Sequence, residues 1–489
     1  MKYVIAIDEG TTSTRAMLFD TQNNTIVNVC KLPFTQYFPQ PGWVEHDAQE
    51  IWRKVKEALK TVTQDIDPKE IIGIGITNQR ETVVAWDKRT GKPACHAIVW
   101  QCRRTSKECN EIKKNKRLTK AIKRKTGLIV DAYFSATKIQ WMIENEPAVK
   151  QLLDDGNLMV GTIDSYLIYR LTEGRNFVTD VTNASRTMLF NIHDLDWDSS
   201  LLKHFGIPRE VLPKVIDCCG DFGNTKINGK KVKICAVAGD QQASFFGQGC
   251  FEKGNIKNTY GTGCFALLNT GDKVVDSKKL VSTVGFKIGN KISYALEGSV
   301  FNAGSAIDWV CKDMRIIRSP EKMDLLANRV EDSDGVYVVP AFTGLGCPYW
   351  DMDTKCIITG ITRGTTIPHI ARAIFECIAY SSYDVIKIME KDSKIEIKNI
   401  SADGGVSRNE FLMQFQSDIL NKEIETKTME STCMGVIYMV GLQAGRYKNL
   451  DEIKNLIKTE KIYSPHMDKE EVSKKLNGWN RAVAQCLKK

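Results

Sequence analysis

Three short polar segments interrupt apolar runs where a polyphosphate could be held. The first is EGTTSTR, residues 9 to 15, which follows Asp8 at the end of the apolar run YVIAID. Backbone N–H groups and hydroxyls in such a turn can cradle phosphate, and Asp8 can hold Mg2+ through water. The second is Gly261-Thr262-Gly263, where the Thr262 hydroxyl is a further donor. The third is Asp403-Gly404-Gly405, whose two glycines remove side-chain bulk and let the chain approach a ligand closely. A helix pattern follows it, so its amides are expected at a helix N-terminus. Phosphoryl transfer needs such donors and a metal around the phosphates, together with a group that positions the nucleophile. Singly, a Gly/Thr turn is a common tight turn and DGG a common loop. The three in this order are far more specific. Neither a Walker A motif nor a Rossmann fingerprint occurs, which argues against P-loop and dinucleotide folds.

The elements that must hold these turns can be read from periodicity. Residues 3 to 20 give strand, turn, strand, and residues 258 to 270 repeat that pattern, which points to two structurally related halves. Further strands are expected at 71 to 77, at 158 to 167 (passing into a helix) and at 232 to 240. Helix patterns alternate with them. One is AQEIWRKVKEALKTV, with Asp47 as its N-cap; another begins at Ile367, with Pro368 in its first turn; a third is NEFLMQFQSDIL, after the DGG turn. Alternating strands and helices indicate the α/β class. The boundary between domains is expected near residue 250, giving 1–250 and 251–489, with no Pro- or Ser-rich linker between them.

Composition narrows the setting. The chain has 489 residues, more than one ordinary core accommodates, and 42% of them are apolar, as in soluble globular proteins. No run of about 18 apolar residues is present, so no membrane span is expected. The first residues form a strand pattern rather than a charged leader, so the expected location is cytoplasmic. Fifteen cysteines, scattered and odd in number, read as reduced thiols rather than a disulfide framework. The net charge is +9, and much of the excess lies in KKNKRLTKAIKRK, residues 113 to 125. No aromatics interleave there, so it reads as a solvated helix face and not as a nucleic-acid site; salt-sensitive RNA binding would argue otherwise.

Longer motifs carry a resemblance. YFSATKIQWMIEN (133 to 145) and GITRGTTIPHIARAIFE (360 to 376) resemble the two signatures of the FGGY carbohydrate kinases, within the actin-like ATPase superfamily, although Cys356 stands where a smaller residue is usual. PGWVEHD (41 to 47), NQRET (78 to 82), VWQCRR (99 to 104), AGDQQA (238 to 243) and TYGTGCF (259 to 265) resemble the members that act on glycerol. The likeness runs from about residue 3 to about residue 445. It implies two related actin-like (ribonuclease H-like) domains with a nucleotide cleft between them. It also implies ATP as co-substrate with Mg2+, glycerol as acceptor, and a homodimer or homotetramer.

Site residues follow position by position from this resemblance. Asp240 falls on the catalytic carboxylate, and Asp8 and Asp240 on the groups that hold Mg2+. Arg80 and Glu81 resemble the pair that grips two hydroxyls, one donating and one accepting. Trp100 and Phe265 resemble apolar walls, and Tyr133 and Gln241 further polar contacts. Thr11, Thr12, Ser13, Arg15, Gly261, Thr262, Gly304, Asp308, Gly405 and Asn409 fall on nucleotide positions. Asp308 departs from the family, which usually carries Gln there; an ionised Asp can accept but not donate. A kinase acting on a pentulose, and an ATP-gated module without a small-molecule acceptor, are the alternatives on the same fold. Some members carry a Gly-Gly-Thr-Arg loop for fructose 1,6-bisphosphate, or a phosphorylated His, ahead of the catalytic Asp. Residues 220 to 239 have neither, so neither control is expected.

Overall fold

YVIAIDE is apolar almost throughout, as a strand covered on both faces must be. The computed structural model describes residues 1–351, 353–427 and 430–487. In it this segment is β1 (Tyr3–Glu9), and the polar turn returns the chain into antiparallel β2 (Ser13–Asp20), with Asp8 opposite Arg15. β3 (Thr25–Pro33) extends the antiparallel side. On the other side β4 (Ile71–Asn78) pairs parallel with β1. β5 (Asn224–Ile227) turns back into β6 (Lys230–Gly239), and β6 pairs parallel with β4. The sheet order is β3-β2-β1-β4-β6-β5.

The second sheet repeats this plan. β7 (Asn255–Tyr260) and β8 (Cys264–Gly271) form the recurring hairpin. β9 (Val281–Ile288) and β10 (Lys291–Val300) lie beyond β8, all antiparallel. β11 (Asn399–Asp403) and β12 (Ile424–Lys427) are parallel neighbours of β7, and β13 (Thr459–Tyr463) is the antiparallel edge. Starting at β10, the order β10-β8-β7-β11-β12-β13 matches the first sheet strand for strand and direction for direction; β9 is the one addition. Two related halves are therefore present.

Helices cover the sheets. α1 (Ala48–Thr63) starts where Asp47 caps it, accepting from the Gln49 amide at 2.8 Å. α2 (Asp240–Gly247) leaves the end of β6, and α3 (Ile367–Ser393) is the longest described helix. α4 (Glu410–Leu420) follows the DGG turn, and α5 (Ser431–Gln443) leaves the β12 side, so α5 is the counterpart of α2. α2 and α5 cross at their backbones. A Cβ on Gly247 would strike the carbonyl oxygen of Ser431, and one on Gly435 would strike that of Ala243.

Three apolar clusters fill the molecule. One lies between the first sheet and α1, with Ile5, Ile7, Ile51 and Val55. A second belongs to the later half, with Leu296, Ile378 and Phe415. The largest draws from both sides of residue 250: Val4 and Met17 of the first sheet, Phe245 of α2, Val284 and Phe286 of β9, and Val436 of α5. The β9–β10 hairpin is thus packed into the earlier half.

The basic stretch forms two helices, Ser106–Lys114 and Lys116–Thr126, and Asn115 caps the second. Most of its cations are solvated as expected. Lys123 corrects that expectation. Its ammonium donates to the carbonyls of Gly127 (2.9 Å) and Leu280 (2.6 Å), and burial lowers its pKa to about 8. Lys125 pairs with Asp198 at 2.8 Å. All fifteen cysteines are unpaired, and among the described residues no helix is long and apolar enough to cross a membrane.

Replacing Gly435 by Val should force α2 and α5 apart and lower stability by about 1–3 kcal/mol, the usual cost of overpacking. A urea unfolding midpoint equal to that of the unmodified protein would contradict the backbone crossing.

Candidate functional site

The centre of the site is a knot of buried charge. After β4 the chain turns through NQRET, with Glu81 in the left-handed region at φ 61°. Arg80 and Glu81 are 2% and 1% exposed, so they are not a surface ion pair. The Arg80 guanidinium donates to both oxygens of Glu297 on β10, at 2.6 and 3.0 Å. Arg186 donates to Glu81 at 2.6 Å and to Glu297 at 2.8 Å. Two cations and two carboxylates are thus desolvated together, with charges balanced. Although burial opposes it, the two arginines hold the Glu297 carboxyl down at about 2.

Asp240 borders this knot. It is the first residue of α2, one step past the end of β6, where the sequence pattern put a strand end. Its Oδ1 lies 3.4 Å from Arg80 Nε and accepts from the Gln241 amide at 2.7 Å. About 32% of its side chain stays open. Burial pushes its pKa up to about 6, and the Glu81 charge adds to that, against the pull of Arg80 and Lys257. Such a carboxylate is a better proton acceptor than an ordinary Asp. The Gln241 amide oxygen accepts from Lys257 at 2.5 Å, and Lys257 also donates to Thr259 at 2.7 Å.

Two aromatic rings stand beside these groups. Trp100 and Tyr133 meet edge to face, with centroids 5.6 Å apart, and Arg80 donates to the Tyr133 hydroxyl at 3.3 Å. The Trp100 indole N–H donates to Thr11 Oγ1 at 3.0 Å, which ties this wall to the first polar turn. Phe265 sits on β8 opposite Thr259 and Ser299; it is partly exposed and makes no ring contact with either aromatic among the described residues.

The first and third polar turns meet the crossing of α2 and α5, and the second packs on the third. In the first, the Gly10 amide donates to the Ser13 carbonyl at 3.0 Å, and Thr12 is exposed. Asp8 is partly open and pairs with Arg15 at 2.6 Å, while Arg15 also reaches Glu430 at the start of α5. In the second, Gly261 and Thr262 accept from the amides of Gly304 (2.9 Å) and Ser305 (3.1 Å). The third packs on the second: Gly404 has φ 93°, and a Cβ there would strike the Tyr260 carbonyl. Asp403 receives the hydroxyls of Ser244 on α2 (2.8 Å) and Ser431 on α5.

One detail differs from expectation. No α-helix starts at Gly405; a 3-10 turn, Gly405–Arg408, intervenes, and Asn409 then caps α4. Asn409 is also spoken for, since its amide donates to Asp324 at 2.7 Å. Asp308 closes a short helix, Gly304–Asp308, and pairs with Lys312 at 2.9 Å, so its charge is offset locally. Sequence reasoning missed Glu297, Arg186 and Lys257. The available signal was a lone carboxylate inside the apolar strand SYALEGSV. Among the described residues no cluster of three metal-type side chains occurs.

Family models and known proteins match this chain along most of its length. The model for the FGGY family of carbohydrate kinases, N-terminal domain, matches residues 3–247, and that for the C-terminal domain matches 256–444. The chain is 48% identical to the glycerol kinase of Fusobacterium nucleatum over 100% of its own length and 99% of that protein's. It is 49% identical to the glycerol kinase of Treponema denticola with the same coverage. Among solved structures, Plasmodium falciparum glycerol kinase with ADP superposes with a TM-score of 0.93 at 38% identity, covering 100% of this chain and 99% of that one. A ligand-bound xylulose kinase from Lactobacillus acidophilus reaches a TM-score of 0.88 at 24% identity, covering 99% and 97%, a likeness of fold alone.

Removing one member of the charge knot should be costly. Glu297→Gln leaves two buried arginines against one carboxylate, and breaking such a pair costs about 3–5 kcal/mol. Because the Glu297 pKa is depressed in the fold, its contribution is complete above about 4.5 and is lost as pH falls toward about 2. Urea midpoints should therefore drop sharply for the variant at neutral pH, with a flatter dependence between those pH values. Equal midpoints and slopes would contradict the network.

Proposed function

The chain belongs to the FGGY family of carbohydrate kinases, and from this premise we propose that it transfers the γ-phosphoryl group of ATP to glycerol, giving sn-glycerol 3-phosphate. The observation that carries the reading is Asp240, an open carboxylate held 3.4 Å from Arg80 and poised at about 6, at the start of the helix α2 whose Ser244 donates to Asp403 of the third polar turn. A glycerol hydroxyl attacks the γ-phosphorus while its proton passes to Asp240. The bond from the γ-phosphorus to the bridging oxygen breaks, and its electron pair leaves with ADP. Positioning matters as much as proton removal in such a transfer.

Glycerol is held by Arg80, Glu81, Tyr133 and Gln241, with Trp100 and Phe265 against its carbons. Lys257 engages the Gln241 oxygen, which leaves the Gln241 N–H groups free to donate to a hydroxyl. ATP is held by Thr11, Thr12, Ser13 and Arg15 on one side and by Gly261, Thr262, Gly304, Asp308, Gly405 and Asn409 on the other. Mg2+ is the implied metal. Asp8 and Asp240 are hard oxygen donors suited to it, and two carboxylates without a full cage fit an ion that shares its ligands with phosphates. Bound there, the ion would neutralise phosphate charge.

The division at residue 250 lies between the spans of the two family domains, 3–247 and 256–444. Fifteen unpaired thiols and a need for ATP suit a cytoplasmic setting. A homodimer or homotetramer completes the reading.

Three measurements test it. Product analysis by mass spectrometry, with glycerol, xylulose and ribulose offered separately, should give glycerol phosphate; strong pentulose phosphate with none from glycerol would overturn the substrate. The acid limb of kcat/KM should bend near pH 6, falling about ten-fold per unit below it, because Asp240 must be ionised to accept the proton. Asp240→Asn should lower kcat by about 10²–10⁴-fold with glycerol affinity retained. A near-normal kcat in that variant would remove Asp240 from the proton-accepting role.

A further inference from the structure

The motif PGWVEHD contains a histidine that the reaction above does not use. His46 is fully buried, in the two-residue strand Glu45–His46, which pairs with Ala97–Ile98 just before Trp100. Burial, with His96 nearby, lowers its pKa to about 4, so the ring is neutral at physiological pH. Its Nε2 lies 2.9 Å from Gln36 Oε1, and Gln36 Nε2 donates to the Thr11 carbonyl at 2.8 Å. Its Nδ1 lies 3.4 Å from Gln79 Nε2, which also donates to the Gly10 carbonyl at 2.9 Å.

The donors fix the direction of every bond. Gln36 spends its N–H group on Thr11, so its oxygen faces His46 and Nε2 must carry the proton. Gln79 presents N–H to Nδ1, which therefore accepts. The Gln79 oxygen receives the Thr82 hydroxyl at 2.9 Å, and Thr82 Oγ1 receives the Trp100 backbone N–H at 3.1 Å. The Trp100 indole N–H returns to Thr11 at 3.0 Å. The circuit closes: first polar turn, Gln36, His46, Gln79, Thr82, Trp100, first polar turn. Gln79 and Thr82 bracket Arg80 and Glu81.

We propose that His46 is a positioning residue that locks the phosphate-cradling turn to the polyol wall, so that each substrate senses whether the other is bound. This rests on the kinase reading above. The chemistry suits histidine: a rigid ring offers a donor and an acceptor on opposite edges, and Phe34 packs against it edge to face with centroids 5.0 Å apart. An asparagine is too short to span both amides. Binding of glycerol against Trp100 and Arg80 tightens the same circuit that orders Gly10 and Thr11, which is a coupling free energy between the two sites.

The test is calorimetric titration of ADP with and without saturating glycerol, on the unmodified protein and on His46→Asn and Gln36→Met. Gln36 is only partly buried, so its variant keeps the test alive if His46→Asn fails to fold. In the unmodified protein glycerol should tighten ADP binding about five-fold or more. In both variants that factor should fall toward one, while ADP binding without glycerol stays within about two-fold. A factor retained in a folded variant, or absent from the unmodified protein, overturns the proposal, as does a loss of thermal stability with coupling intact. Failure of the kinase reading would appear separately, as no glycerol phosphate made by the unmodified protein.

Discussion

Glu297 is the common acceptor of two buried arginines that approach it from the earlier half of the chain. Neither Arg80 nor Arg186 could stay desolvated without it, since an uncompensated buried charge is among the costliest defects a fold can hold. Glu297 sits on β10, and the β9–β10 hairpin is packed into the core of the other half. Docking that hairpin and neutralising the arginines are therefore one event. The same event fixes Arg80: Glu297 receives both of its Nη groups, and its Nε lies between Asp240 at 3.4 Å and Glu81 at 3.7 Å.

Environment then separates carboxyl groups of the same kind. Glu297, between two guanidinium groups, is held at about 2. Asp240, at the rim of the same knot, is pushed up to about 6 because burial and the Glu81 charge outweigh its single near contact with Arg80. Glu9, fully buried with its carboxylate accepting from the Thr14 hydroxyl, is raised as well. A structural anion and a proton acceptor are thus built from the same chemistry by the number of cations in reach.

Local patterns made much of this legible in advance. The apolar runs around the Gly/Thr turns, the Asp47 cap and the glycines of DGG each state their geometry within a few residues. The duplicated hairpin announced two related halves. What the sequence withheld depends on residues far apart. Glu297 is 217 positions from Arg80, and nothing near either names the other. Lys123 lies in a run of solvated cations, yet a carbonyl of the later half, Leu280, captures it. The 3-10 turn after DGG follows a Gly404 that packs on Tyr260, a residue 144 positions earlier that no local propensity names.

The meeting of α2 and α5 also governs how the halves can move. Interleaved side chains resist rotation as gear teeth do; peptide laid on peptide at Gly247 and Gly435 has no teeth. Such a crossing sets the separation of the two helices by backbone contact, while Val436 and Val440 of α5 fill the space over Gly75 and Gly73 of β4. An atom swung about the crossing travels in proportion to its lever arm. Glu430, Ser431 and Cys433, the partners of Arg15, Asp403 and Asp8, lie within about one helical turn of that pivot. The groups gathered there have almost no arm, so any rotation about the crossing would disturb their spacing least.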